Sequence, residues 1–127
     1  VSHDVSVPVS HIAEFIAETD KALEERFPGV RHCCFGHVGD GNMHYNPLRP
    51  EGWEQSKFLE YYEEINRIVH DRVIKHGGSI SAEHGIGSLK AATLPRYKSP
   101  VALGMMRAIK GALDPRGIMS PGRVLAK

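Results

Sequence analysis

Val30–Val38 (VRHCCFGHV) is rich in β-branched, aromatic and Cys residues without a helical stripe, and Asn42–Asn46 (NMHYN) follows after only Gly39-Asp40-Gly41. Two such runs joined through Asp-Gly predict an antiparallel hairpin, because a type I′ turn needs positive φ at both central residues and Asp-Gly tolerates it. The hairpin commits the chain to a sheet. Before it, Asp4–Pro8 (DVSVP) alternates like a short half-buried strand, and Ser10 is placed to cap a helix with the stripe Ile12, Ile16, Leu23 and Phe27, stopped by Pro28-Gly29. After it, a long amphipathic helix is expected over Glu54–His76, with Phe58, Tyr62, Ile65, Val69 and Val73 on one face and Gly77-Gly78 as its end. Ser79–Ala82 reads as a last short strand. A short helix around Leu89 stopped by Pro95 follows, then a helix from Ser99-Pro100 with the stripe Leu103, Met106, Ile109 and Leu113, and a turn-rich tail from Arg116. The order β-α-β-β-α-β plus two helices predicts an α+β fold of the ferredoxin-like, split β-α-β kind: an antiparallel sheet with both long helices on one face.

A chain of 127 residues is expected to make one domain, 1–127, with a core that needs no staples. Sixteen Lys+Arg against fifteen Asp+Glu, with no dense basic run, argue against nucleic acid or an anionic membrane as partner. No apolar run approaches the roughly 20 residues of a membrane span, and the N-terminus has no signal-peptide layout. Cys33 and Cys34 are neighbours on a strand, where a mutual disulfide would be badly strained, so a reducing compartment, the cytoplasm, is expected. Because the chain lacks an initial Met and its first strand starts almost at once, it is expected to be part of a longer polypeptide.

Pairing about Asp40-Gly41 sets His37 opposite His44, with Cβ atoms about 4.5–5.5 Å apart, and Asn46 on the same face. Two imidazoles at that spacing can converge on a divalent ion. Glu83, leaving the last strand, is the candidate third ligand, and His84 beside it, in a glycine-flanked turn, is the candidate base. His3, His11, His32, His70 and His76 have no such context and read as surface or packing residues, Cys33 and Cys34 as packing, and Met105-Met106 as core. Gly85-x-Gly87 is only a weak anion-loop signal, and Asp40 is explained by its turn.

The block Gly36-His37-Val38-Gly39-Asp40-Gly41-Asn42-Met43-His44-Tyr45-Asn46, together with Ser81-Ala82-Glu83-His84-Gly85-Ile86-Gly87 and the tail Asp114-Pro115-x-Gly117-Ile118-Met119-Ser120-Pro121-Gly122, resembles the C-terminal region of FAD-linked oxidases. These are flavin-dependent D-2-hydroxyacid dehydrogenases of the D-lactate, glycolate and D-2-hydroxyglutarate types. The resemblance implies that His37, His44 and Glu83 hold a divalent metal, zinc first, with manganese or iron as alternatives. It implies that Asn46 contacts substrate, that His84 takes the α-hydroxyl proton, and that hydride passes from C2 to the flavin N5. The tail, with Ser120 where the family commonly has Asn, is implied to touch the FAD surroundings. Ser2 stands where relatives often carry a Lys for the substrate carboxylate. The family's FAD-binding domain is not in this chain, so the chain alone is expected to be inactive. A 2-hydroxyacid is the expected small-molecule partner; the later electron acceptor is not indicated, and a homodimer stays open. The rival reading is a stand-alone ferredoxin-like module whose histidines bind a structural metal or small ligand.

Overall fold

The computed structural model describes residues 1–126. The chain falls into two compact units, Val1–Glu83 and His84–Lys127. The first holds β1 (His3–Ser6), α1 (Ile12–Arg26), β2 (Arg31–Phe35), β3 (Asn42–Leu48), α2 (Gln55–Leu59) and α3 (Tyr62–Lys75); the second holds α4 (Leu94–Tyr97) and α5 (Pro100–Leu113).

The fold is α+β, with an antiparallel sheet of order β1-β3-β2. His3 pairs with Tyr45 and Val5 with Met43, so the odd-numbered residues of both strands share one face. That face is the core side: Val5, Met43 and Tyr45 pack in one buried cluster with Phe15 and Leu23 of α1 and Ile65, Val69 and Val73 of α3. Both long helices therefore cover one side of the sheet, and Asp4, Ser6, Asn42, His44 and Asn46 project from the other.

Several local expectations change. The fourth strand shrinks to a single bridge, Ser6 with Ser79, held by reciprocal backbone bonds of 3.0 and 2.9 Å. Gly78 lies so close to β1 that a Cβ on it would stand 2.0 Å from the Ser6 carbonyl oxygen, which brings the chains together here. Beyond the bridge, Ala82 and Glu83 turn their N–H groups to the Asp4 carboxylate instead of a ladder, and pairing stops. The helix expected over 54–76 breaks at Glu60-Tyr61, where Phe58 and Tyr61 both turn onto Phe27, with ring centroids at 6.0 and 5.2 Å. Ser10 does not cap α1; a 3-10 turn over Val9–His11 leads into it. Pro95 begins α4 rather than ending a helix, as suits a residue with no N–H to leave unpaired in a first turn. Ser99 caps α5 as expected, accepting from Ala102 N at 3.1 Å. Met105, Ile109 and Leu113 of α5 are exposed rather than core, because among the described residues their unit has no second long helix to cover the stripe.

His3 sits on the core side, 1 % exposed. Both ring nitrogens face oxygen acceptors, Nδ1 the Tyr45 carbonyl at 2.9 Å and Nε2 the Asn66 Oδ1 at 2.9 Å, and the neutral ring donates to one of them. Burial, reinforced by His70, pushes its pKa down from 6.5 to about 3. The unfolded chain therefore binds a proton that the folded chain refuses between these values. Stability is full above pH 6.5 and falls on acidification, by up to about 1.4 kcal/mol per pH unit for this one group. Denaturant midpoints measured from pH 7 to 4.5 are expected to fall, and to fall less steeply in His3→Gln; equal slopes would contradict the assignment.

Candidate functional site

The site is built on the polar face of the sheet and on the connection between β2 and β3. The observed register pairs Phe35 with His44 and Cys33 with Asn46, two residues away from the expected His37–His44 pairing. The cause is the connection. It is not a two-residue turn at Asp40-Gly41 but a six-residue loop, Gly36–Gly41, containing a 3-10 turn in which Asp40 N and Asn42 N both donate to the His37 carbonyl, at 2.9 and 3.2 Å. Gly41 closes it with φ 73°, and its carbonyl accepts from Val7 N at 3.0 Å. A Cβ on Gly41 would stand 2.2 Å from the Val7 carbonyl oxygen. A shift of two residues preserves parity, so His44 and Asn46 stay on the expected face; His37 moves off the ladder into the loop.

The loop still brings His37 to the predicted partner. Its Nδ1 lies 2.9 Å from Glu83 Oε1, and His44 Nε2 lies 3.9 Å from Glu83 Oε2. One carboxylate thus offers an oxygen to each of two imidazoles. The His44 side chain is 18 % exposed and its ring lies against Phe35 at 5.1 Å, whereas that of His37 is 69 % exposed. Asn46 Oδ1 accepts from His3 N at 3.2 Å, which fixes its amide with the NH2 group as the end available to donate elsewhere.

Two residues of the site were not singled out by sequence reasoning. Asp4, buried and paired with His44 across β1 and β3, accepts from Ser81 Oγ at 3.2 Å, Ala82 N at 3.1 Å and Glu83 N at 3.1 Å. It holds the segment that carries Glu83. Asn42, also buried, donates through Nδ2 to Glu83 Oε1, and its Oδ1 is buried with no hydrogen-bond partner among the described residues. Neither stands out locally: Asp4 sits among His3 and Ser6 in β1, and Asn42 opens β3, which also carries His44 and Asn46.

His84 follows Glu83 as the first residue of the second unit and is exposed. Ser120 lies in the same unit, at φ 44°, on a groove of about 410 Å³ lined also by Met106, Ile109, Met119 and Arg123. Asp114 shapes that tail: it accepts from Ile118 N at 3.0 Å and Met119 N at 2.9 Å, and Lys110 Nζ at 2.5 Å holds its carboxyl below the usual range. Cys33 and Cys34 are free thiols, and burial pushes Cys34 up to about 11, so it is no ready thiolate. Among the described residues, no helix is long and apolar enough to cross a membrane.

A family model described as FAD linked oxidases, C-terminal domain, matches residues 1–124. The chain is 40 % identical over 124 residues to a D-2-hydroxyglutarate dehydrogenase of Stutzerimonas stutzeri, covering 98 % of this chain and 27 % of that protein. It is 39 % identical over 124 residues to a D-lactate dehydrogenase of Archaeoglobus fulgidus, covering 98 % and 26 %, and 32 % identical over 127 residues to glycolate oxidase subunit GlcD of Bacillus subtilis, covering 100 % and 26 %. The chain spans about a quarter of the length of these curated relatives.

Proposed function

The chain belongs to the FAD-linked oxidase family, as its C-terminal domain, and from that premise we propose that it is the cation- and substrate-binding part of a larger flavoprotein that oxidises a D-2-hydroxyacid to the 2-oxoacid. The observation that carries the reading is Glu83, placed between the imidazoles of His37 and His44 with its backbone tied to Asp4. Two imidazole nitrogens and a carboxylate form a borderline-soft donor set suited to zinc, with room for an oxygen ligand from solvent or substrate. Asn42 Oδ1, an acceptor buried beside them with no donor among the described residues, is the kind of atom that a cation's water would satisfy. The chemistry of these donors suits such an ion.

When bound, the ion would polarise the substrate hydroxyl and the flavin would accept the hydride. The chain's own residues do the rest. His37, His44 and Glu83 would hold the cation, and Asp4 keeps Glu83 from swinging out by accepting the Ala82 and Glu83 N–H groups. Asn46, its Oδ1 already engaged by His3 N, presents NH2 to a substrate oxygen. His84 would accept the proton of the substrate's α-hydroxyl.

The relatives named above act, by their names, on D-2-hydroxyglutarate, D-lactate and glycolate. The test is flavin bleaching in the flavin-loaded full-length protein under anaerobic conditions with these three acids. At least one should bleach the flavin in a single turnover; no bleaching with any of them would overturn the reading.

A further inference from the structure

A second group of ligating side chains lies elsewhere in the first unit, where the start of α1 meets the end of α3. His11 ends the 3-10 turn before α1, Glu14 is three residues on in the first turn of α1, and His76 caps α3. One ligand atom of each lies within 4.8 Å of the other two. We propose that His11, Glu14 and His76 form a second divalent-cation site, of zinc type, that clamps the start of α1 to the end of α3.

The ring polarity makes the argument. His76 is buried, with 4 % of its side chain exposed, and its Nε2 lies 3.2 Å from Glu18 Oε2. Glu18 is ionised: the Lys75 ammonium, at 2.8 Å from both its oxygens, and the His76 ring hold its carboxyl below the usual range. A carboxylate only accepts, so Nε2 of His76 carries the proton and donates. The lone pair of His76 then sits on Nδ1, and this atom faces Nδ1 of His11 at 3.1 Å. Two imidazole nitrogens that close need a proton or a cation between them. In a tetrahedral zinc site, with metal–nitrogen bonds of about 2.0–2.1 Å, the nitrogens stand about 3.3 Å apart, close to the spacing seen.

The surroundings suit a cation over a bare N–H···N bond. Glu14 adds a carboxylate on the same helix face as His11, since residues three apart in a helix are neighbours. Glu18 to His76 reproduces the carboxylate–imidazole pairing that orients metal-bound histidines and raises their basicity. Phe15 packs edge-on to the His76 ring at 6.2 Å and fixes it, while His11 and Glu14 are exposed, so an ion reaches the site from solvent and keeps water as its remaining ligand. This site uses none of the residues of the proposed catalytic centre.

Zinc titration of the metal-stripped protein in the His37→Ala/His44→Ala background tests it, because losing His44 disables both the proposed catalytic set and the grouping of Asp4, His44 and His84, whose ligand atoms lie within 4.8 Å of one another. One equivalent of zinc should still bind. Removing a carboxylate that orients a ligating imidazole weakens binding by about 10 to 100-fold, and removing a ligand no less; Glu18→Gln and His11→Ala are expected to show those losses, with circular dichroism unchanged because both positions lie at the surface. Cobalt in place of zinc should give visible absorption bands that His11→Ala abolishes. No zinc bound in the background, or binding and bands unaffected by His11→Ala, would overturn the proposal, whatever becomes of the catalytic reading.

Discussion

Glu83→Ala in the flavin-loaded full-length protein is expected to slow hydroxyacid-dependent flavin reduction by about 10³-fold. Glu83 meets both His37 and His44, so its loss removes a third of the donor set. Electrostatic stabilisation by a bound ion is worth several kcal/mol, and each 1.4 kcal/mol is a factor of ten. His84→Ala should also slow the step, by about 10²-fold, the usual size of a general-base contribution, but with metal content intact. That split separates a ligand from a base. Unchanged single-turnover rates in Glu83→Ala would refute the ligand role, and an unchanged rate in His84→Ala would refute the base.

The second large effect falls on the backbone. Gly41→Ala is expected to destabilise the first unit by about 3 kcal/mol: a left-handed φ costs a non-glycine residue of order 1–3 kcal/mol, and the added Cβ would stand 2.2 Å from the Val7 carbonyl oxygen. Because Gly41 closes the loop that carries His37, the same change should move His37 away from Glu83 and weaken metal binding. Gly39→Ala is the internal control. It lies in the same loop, has no atom within 4 Å of an added Cβ and no left-handed φ, and should leave the melting temperature within about 2 °C of the parent. A Gly41→Ala protein as stable as Gly39→Ala would contradict this account of the loop.

Much of this architecture was legible because its signals are local. The alternation of Val5, Val7, Met43 and Tyr45 marks the buried face of two strands, and the helical stripes of α1 and α3 meet that face in the structure. The expected donor set of His37, His44 and Glu83 was reached through a hairpin register that the structure moves by two residues, yet both histidines still meet Glu83. What could not be read depends on contacts distant in sequence. The β2–β3 register moved by two residues because Gly36–Gly41 coils into a 3-10 turn anchored on Val7, and nothing within Gly39-Asp40-Gly41 announces Val7. Asp4 resembles an ordinary residue at the start of a strand until Ser81, Ala82 and Glu83 fold over it. His11 and His76 lie 65 residues apart and only the packing of α1 on α3 makes them neighbours. Ser79–Ala82 has strand composition, yet its donors find a better acceptor in a buried carboxylate than in a fourth ladder.

The central claim is that this domain contributes a cation and a base to oxidation by flavin. The most direct measurement is anaerobic flavin absorbance in the full-length protein on adding the preferred 2-hydroxyacid, before chelation, after chelation and after zinc is restored. The account predicts bleaching that is lost on metal removal and regained with zinc, and a His37→Ala/His44→Ala protein that zinc does not rescue. Bleaching that survives complete metal removal at the original rate would contradict it.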